Sequence, residues 1–377
     1  MRILIDIRLL GKGGQSGIEE YTKQIVSRLI KNTSFDFRLF YSGWRKAPIG
    51  EIWKSDFCWK SDFPASLISW PIPNKIFGGA SRFFRWPKID RLIKTDLIYS
   101  PHLNLLRHTK KTPRILTIHD LSFIHHPYFF SHRHNIWHWM QDIKQQAKQA
   151  AKIITVSQYA KNDIVETLGV SEKKVEVIYP AVRKSDFQQK SDFQKLQPYI
   201  LYLGTIEPRK NIQTIIKAFD LLKKLLSMSD IDNLKLVIAG KKGWLYEDVE
   251  RAYQQSPFKE DIIFTGAVSD EDKAALYRSA EAFVFPSFFE GFGLPPLEAQ
   301  AHNCPVIASN RTSLPEILGD SALFVDPWKP QELAEKIKIV IENNELKNKL
   351  IAAGLENVKR FNWDKATEKL CAIFSQY

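Results

Sequence analysis

Short, mostly apolar, strand-like runs, separated by helical patterns, recur along the whole chain and decide what it can fold into. In the first half they stand at Ile3–Ile7, Leu97–Tyr99, Ile115–Ile118, Ile153–Val156 and Val175–Ile178. Helical patterns lie between several of them, as at Ile18–Ile30 and Trp137–Ala151. The second half repeats the rhythm at Tyr199–Leu203, Leu234–Ala239, Ile262–Thr265, Ala282–Phe285 and Val306–Ala308. Short runs dominated by apolar residues suit strands covered on both faces of a parallel sheet. Between the first two of the second set, residues 211–226 place apolar side chains at 212, 215, 216, 219 and 222, a helical period. Strand–helix alternation in both halves predicts an α/β protein with two doubly wound, Rossmann-like domains.

At 377 residues the chain is too long for one ordinary domain and suits two. The boundary falls in residues 184–198, KSDFQQKSDFQKLQP, which is polar, aperiodic and closed by a proline. The expected division is a first domain over 1–183, a linker over 184–198 and a second domain over 199–360. The last segment, 361–377, is expected to form a helix that returns to the first domain, with Trp363, Ala366, Leu370 and Phe374 on one side. The linker carries KSDFxxKSDF, a pattern that also occupies residues 54–63. Nothing in these residues explains the duplication.

Charge is unevenly placed. Residues 1–185 hold 30 Lys/Arg and 15 Asp/Glu, whereas residues 186–377 hold 24 and 27. A basic first half calls for an acidic partner: nucleic acid, anionic lipid or a phosphorylated small molecule. The segment 81–94, SRFFRWPKIDRLIK, mixes cations with Phe83, Phe84 and Trp86, as an anionic membrane interface or a base-stacking surface would. Cys58, Cys304 and Cys371 are odd in number and far apart, so no disulfide framework follows and a reducing compartment fits best. The opening residues lack the apolar region of a signal peptide, and no run of 18 apolar residues occurs. A cytoplasmic protein, meeting any membrane from the surface of its cytoplasmic face, is the expectation.

The strongest chemical signal is FPSFFEGFGLPPLEAQAHNCPVIAS, residues 285–309. A buried strand ends near Pro286, a glycine-rich loop follows, and a helix begins near Pro295. Proline in the first helical turn is preorganised, and the free N–H groups there form an anion site. Glu290 stands in the loop and Glu298 on the helix, while Gly291 and Gly293 let the backbone approach a ligand closely. Hydroxyl acceptors beside phosphate donors are what a sugar with a diphosphate tail requires. In LGTIEPRKN, residues 203–211, Gly204 turns the chain and Arg209 and Lys210 precede a helix. Cations at a helix N-terminus oppose the macrodipole, so an anion is expected beside them. In ILTIHDLSF, residues 115–123, His119 and Asp120 follow a strand end, where ligands gather in α/β sheets. In GKGGQSGIEEY, residues 11–21, glycines separate a strand from a helix, with neither dinucleotide-loop nor Walker spacing.

The segment Glu290-GFGLPPL-Glu298 resembles the signature of glycosyltransferase family four, a retaining family with two Rossmann-like domains facing each other across a cleft, the GT-B fold. The resemblance runs nearly the whole chain in order and is most specific in the second half. It implies that Glu290 contacts donor-sugar hydroxyls and that the backbone of Phe292, Gly293 and Leu294 contacts sugar and phosphate. It implies further that Glu298 holds the ribose, that Arg209 and Lys210 neutralise the leaving diphosphate, and that His119 positions the sugar near its reacting carbon. Gly14, Gly17 and Gly204 are expected beside the donor phosphates. Two departures stand out: Thr205 follows Gly204 where many members have arginine, and Asn303 replaces a common glycine. The six histidines between His119 and His138 lack a zinc-protease spacing, so an acceptor surface is preferred to a metal site.

The expected activity is retaining transfer of a hexose, first mannose from GDP-mannose, to a glycan or lipid-linked acceptor of surface polysaccharide. The donor would bind between the domains, mostly on residues 199–360, with Arg209 and Lys210 in a solvated cleft. No clean carboxylate pair flanks the sugar carbon, which favours front-face attack over double displacement. No cofactor or metal is required on this reading, and an anionic membrane surface is the further partner. A nucleotide-sugar epimerase of similar fold, a basic nucleic-acid-binding protein and an inactive sugar-binding module are the rivals. The charge asymmetry alone suits the second, but it leaves the Glu290–Glu298 loop unexplained.

Overall fold

The computed structural model describes residues 1–12, 16–44, 65–182, 192–226 and 233–377. The segment 54–63 and Cys58 lie outside them, as do Gly14 and most of the second KSDFxxKSDF copy. The chain divides into two units by contact. The first comprises Met1–Leu121, His132–Pro180 and Asn362–Tyr377; the second comprises Ser122–Ser131 and Ala181–Phe361. Residues 122–131, which the sequence reading leaves in the first domain, cluster with the second unit.

Among the described residues the first unit holds seven strands: β1 Arg2–Asp6, β2 Asp36–Ser42, β3 Ala65–Trp70, β4 Leu97–Ser100, β5 Arg114–Thr117, β6 Lys152–Thr155 and β7 Val175–Val177. They form one sheet in the order β3-β2-β1-β4-β5-β6-β7, with every pairing parallel. The order reverses beside β1, so the C-terminal ends of β1 and β4 frame a switch point where ligands bind in such sheets. The helix Gly17–Leu29 starts on a capping box in which Ser16 and Glu19 exchange hydrogen bonds. The helix Trp363–Phe374 belongs to this unit, with Trp363 against Tyr21 and Phe374 against Tyr99.

The helix expected over Trp137–Ala151 is two, His132–Gln141 and Ile143–Gln149. Asp142 breaks it in the left-handed conformation, φ 52°. Its carboxylate accepts from Arg82 at 2.8 Å and Arg107 at 3.3 Å, long-range partners that outweigh local helix propensity.

The second unit holds β8 Tyr199–Leu203, β9 Lys235–Ala239, β10 Ile262–Gly266, β11 Ala282–Phe285, β12 Val306–Ser309 and β13 Leu323–Val325. Their order is β10-β9-β8-β11-β12-β13, again all parallel. β8 and β11 are completely buried, as continuous apolar runs require. This sheet also reverses its order between β8 and β11, and the loops that carry Arg209 and Glu290 leave those two strand ends.

Candidate active site

The loop after β8 is held open by backbone before any side chain acts. Ile206 N–H donates to Lys241 O at 3.0 Å and Gly243 N–H to Ile206 O at 2.9 Å, tying it to the loop after β9. Gly240, at φ 139°, makes this approach feasible: a Cβ there would stand 2.0 Å from Gly204 O. The turn Pro208–Lys210 ends at Asn211 in the left-handed conformation. Asn211 Nδ2 then donates to Pro286 O at 3.1 Å and Pro327 O at 2.7 Å. One amide thus ties the loops after β8, β11 and β13 together.

Within that frame Arg209, Lys210 and Glu290 meet. Lys210 Nζ donates to Glu290 Oε1 at 2.6 Å, and Arg209 Nη1 donates to Glu290 Oε2 at 3.1 Å and to Phe289 O at 2.9 Å. Arg209 also grips Glu207 through Nε at 3.1 Å and Nη2 at 2.8 Å. Lys210 further stands 4.8 Å from the centre of the Phe285 ring. Both Lys210 and Glu290 are buried. This corrects one expectation: the anions beside the two cations are carboxylates of the protein, and Lys210 is not in open solvent. Burial alone would raise the Glu290 carboxyl, but Arg209 and Lys210 outweigh it and hold it below the usual glutamate range. Burial lowers the Lys210 ammonium, opposed by Glu290.

Glu290 is fixed from behind. Its N–H donates to Thr312 Oγ1 at 3.0 Å, and Ser313 Oγ donates to Glu290 O at 2.9 Å and Phe292 O at 3.2 Å. Thr312 and Ser313 escaped the sequence reading; their signal is the hydroxyl-rich turn after β12. The helix Leu294–Ala301 then begins with prolines in its first turn, preceded by Gly293 at φ 98°. A Cβ on Gly293 would meet Leu314 Cδ2 at 2.6 Å, so this position needs glycine. Glu298 on that helix accepts from Lys273 Nζ at 2.6 Å and Tyr277 Oη at 3.1 Å. Lys273 was also missed, because only the packing of Asp270–Ser279 beside this helix brings it there.

The inserted segment 122–131 borders the same loop. His125 stacks on Phe289 with ring centres 6.0 Å apart, and Phe129 stacks on Phe288 at 5.7 Å. Trp244 Nε1 donates to Phe129 O at 2.7 Å and anchors the segment.

In the first unit, the strand ends carry a second polar group. Asp6 closes β1, fully buried, and accepts from Arg8 Nε at 2.8 Å and Nη2 at 2.6 Å. His102 follows β4, with Nε2 3.7 Å from Asp6 Oδ1 and Nδ1 accepting from Asn104 N–H at 3.2 Å. Burial depresses the His102 imidazole to about 4. His119 follows β5; its Nε2 donates to Pro101 O at 3.0 Å and its ring meets Tyr21 edge-on at 4.7 Å. The group that orients the ring at Nε2 is therefore the Pro101 backbone carbonyl. Burial lowers His119 too, so the ring is neutral at pH 7. Gly17 opens the helix Gly17–Leu29 at an exposed position. Among the described residues no group of three or more His, Cys, Asp or Glu side chains is arranged to hold a metal ion.

What these loops can do is bind an anion at the helix start and hydroxyls at two fixed carboxylates. The family described as Glycosyl transferases group 1 matches residues 183–357, and the one described as Glycosyltransferase Family 4 matches residues 15–185. O-antigen chain mannosyltransferase B of Escherichia coli is 33% identical over 268 residues, covering 67% of this chain and 68% of that protein. O-antigen chain mannosyltransferase RfbU of Salmonella typhimurium is 33% identical over 223 residues, 59% of each. Among solved structures, sucrose-phosphate synthase of Thermosynechococcus elongatus superposes with TM-score 0.74 at 18% identity, covering 100% of this chain and 98% of that one. HepE of Anabaena, in complex with UDP and glucose, superposes with TM-score 0.72 at 18% identity over the full length of both. At such identities the likeness establishes the fold, two Rossmann-like units of the GT-B type. On the family matches and the Escherichia coli relative, the chain is a glycosyltransferase belonging to group 1, family four.

Proposed function

We propose that the protein transfers mannose, with retention, from GDP-mannose to a glycan or lipid-linked acceptor during assembly of a surface polysaccharide such as O-antigen. The observation that carries the reading is the Arg209–Lys210–Glu290 cluster beside the N-terminus of Leu294–Ala301. The choice of mannose rests on the relatives, two of which are named O-antigen mannosyltransferases. On this reading the donor diphosphate enters as a stronger anion, draws Arg209 and Lys210 to itself, and leaves Glu290 to accept hydroxyls of the sugar. Phe292, Gly293 and Leu294 present backbone N–H groups to the phosphates, and Gly204 lets the diphosphate approach the end of β8. Glu298, held by Lys273 and Tyr277, takes the ribose.

As the glycosidic bond breaks, negative charge grows on the departing diphosphate. The two cations and the loop amides stabilise it where it grows. The diphosphate then accepts the acceptor proton on the same face of the sugar, which retains configuration without a second carboxylate at the carbon. No divalent ion takes part in the proposed step.

A panel of nucleotide sugars tested by thermal shift identifies the donor, because a ligand that binds only the folded state raises its melting temperature. GDP-mannose should give the largest rise, and proton NMR of the product should show the donor's anomeric configuration. An inverted product would exclude front-face transfer. A larger rise with UDP-glucose would exclude mannose while leaving the cluster's role intact.

A further inference from the structure

The segment with alternating cations and aromatic rings is not used by the proposed transfer chemistry, and its geometry asks for a partner. The helix Asn74–Phe83 buries Phe77 and Ser81 on one side. Its other side presents Ile76 and Phe83, two turns apart, which are 60% and 65% exposed. Between them Gly78 and Gly79 leave the helix surface bare, and a Cβ at either would meet nothing within 4 Å. The chain leaves the helix through Phe84, 80% exposed, and Trp86, 58% exposed, whose N–H returns to Ala80 O at 3.4 Å. The helix His132–Gln141 packs alongside and adds Trp139, 59% exposed. Trp139 lies 6.5 Å from Phe83 ring to ring, and 4.8 Å below the Arg82 guanidinium.

Five large apolar side chains in one neighbourhood, none of them satisfied by the unit's own core, exceed what scattered surface hydrophobics explain. Their surroundings are cationic. Residues 74–94 contain six Lys/Arg and one acidic residue. That residue, Asp90, is occupied by the Thr109 N–H at 2.9 Å and the Thr112 hydroxyl at 2.9 Å, and nearby Asp142 is occupied by Arg82 and Arg107. Lys75 and Arg85 are next in sequence to Ile76, Phe84 and Trp86 and are exposed. A protein partner with an apolar face would be matched by the rings alone. The cationic rim, in a half of the chain with twice as many Lys/Arg as Asp/Glu, is matched by a surface that is apolar below and anionic above.

We propose that this face, formed by Ile76, Phe83, Phe84, Trp86 and Trp139 and flanked by Lys75, Arg82 and Arg85, docks the protein on an anionic phospholipid bilayer. The rings sit at the level of the headgroups and the cations meet lipid phosphates. No helix among the described residues is long and apolar enough to cross a membrane, so attachment through this face is peripheral. Each cation near an anionic leaflet strengthens partitioning about fivefold, and the effect is screened within a Debye length.

The test uses the full chain and two kinds of vesicle, phosphatidylcholine alone and phosphatidylcholine with phosphatidylglycerol. Sedimentation and the tryptophan emission spectrum are recorded with and without added salt. Binding to the anionic vesicles, a blue shift of emission and release by salt are expected. The variant Phe84→Ser/Trp86→Ser should bind at least tenfold more weakly with an unchanged melting temperature, since both side chains are exposed. Lys75→Gln/Arg85→Asn should lose most of the salt-sensitive binding; asparagine suits the left-handed backbone at Arg85, φ 53°. Unaltered vesicle binding by both variants would overturn the proposal, and so would equal binding to neutral vesicles. Binding of single-stranded nucleic acid in place of vesicles would overturn it in favour of base stacking. The readout involves no sugar transfer, and a variant that loses vesicles while keeping donor-induced thermal stabilisation separates this surface from the active site.

Discussion

Removing Lys210 should damage stability and turnover together, and a second substitution should restore only the first. The Lys210 ammonium and the Glu290 carboxylate are 2.6 Å apart, with side chains 11% and 7% exposed. Taking one partner from a buried pair leaves the other charged in a poor solvent, which costs about 3–5 kcal/mol. Here Arg209 remains 3.1 Å from Glu290 and offsets part of its charge, so Lys210→Met should cost less than that range, about 2–3 kcal/mol. For a unit of this size that is a fall of roughly 5–10 °C in melting temperature. Methionine keeps the packing over Phe285, so the loss reports charge. Glu290→Gln should cost a similar amount, because it strands two cations on Glu207.

The double variant Lys210→Met/Glu290→Gln removes one charge of each sign. Its destabilisation should be smaller than the sum of the singles by about 0.5–3 kcal/mol, the range for residues in direct contact. Turnover behaves differently. Each single variant should lose on the order of a hundredfold or more in kcat, as when one stabiliser of a developing anion is removed. The double variant should recover none of it. Melting curves beside steady-state kinetics for the three variants decide the matter. Additive destabilisation would refute the coupling. Near-normal turnover in a folded Lys210→Met protein would refute the leaving-group role. Acid adds a sign. The folded Glu290 carboxyl lies below its unfolded value, so its contribution is present above the ordinary glutamate range and is lost as pH falls through the lower, folded value. Glu290→Gln should flatten that part of the stability–pH curve.

Further expectations concern other parts of the two units. His102 titrates near 4 when folded against 6.5 unfolded, so stability should fall as pH drops between those values, by on the order of 3 kcal/mol, and His102→Asn should remove that dependence in melting curves. Gly293→Ala forces a side chain into a left-handed position 2.6 Å from Leu314, and should cost roughly 1–3 kcal/mol in chemical denaturation. Lys273→Met should weaken donor binding, read as a raised KM with kcat nearly kept, because ribose contacts change little during reaction; an equal fall in kcat would argue against the ribose assignment of Glu298. Transfer should survive EDTA, and loss restored by manganese or magnesium would reverse the metal-free reading.

The strands most legible in the sequence are those whose runs are dominated by apolar residues. β8 and β11 read directly from Tyr199–Leu203 and Ala282–Phe285, because both faces of each are buried and nothing but apolar side chains fits. β2 and β3 escaped notice for the opposite reason. DFRLFYS and ASLISW mix polar and apolar residues, and β3 lies at the sheet edge with much of it exposed. β13 is only three residues long. The break at Asp142 was invisible because its cause lies in Arg82 and Arg107, which sequence spacing does not connect to it. The site divides along the same line. Glu290, Gly293 and Glu298 are local features of one strand–loop–helix passage and could be read as such. The pairing of Glu290 with Lys210 spans 80 residues, and that of Glu298 with Lys273 spans 25; both arise only when neighbouring strands and helices come into register.

That pairing changes what the two cations do before any donor arrives. Arg209 and Lys210 are matched by Glu207 and Glu290, so the group is electrically balanced in the ligand-free protein. An unbalanced pair of cations at this partly buried place would be costly, and the buried ammonium of Lys210 is the member that would relieve it by losing its proton. Glu290 opposes that loss, and so keeps the ammonium charged and aimed at one place until a stronger anion comes. On the proposed reading, a diphosphate that displaces the Glu290 carboxylate gains two cations whose positions are already fixed by Asn211, Phe289 and the Phe285 ring. The displaced carboxylate gains in exchange the hydroxyls of the same donor. Neither half of the exchange is favourable alone, since each would leave a buried charge unmatched. A nucleoside diphosphate without its sugar should therefore bind less tightly than the intact donor, and the difference should vanish in Glu290→Gln, where there is no carboxylate to rehouse. Calorimetric titration of both ligands into both proteins measures the two differences directly. Equal differences in wild type and variant would mean that Glu290 holds the cations and takes no part in holding the sugar.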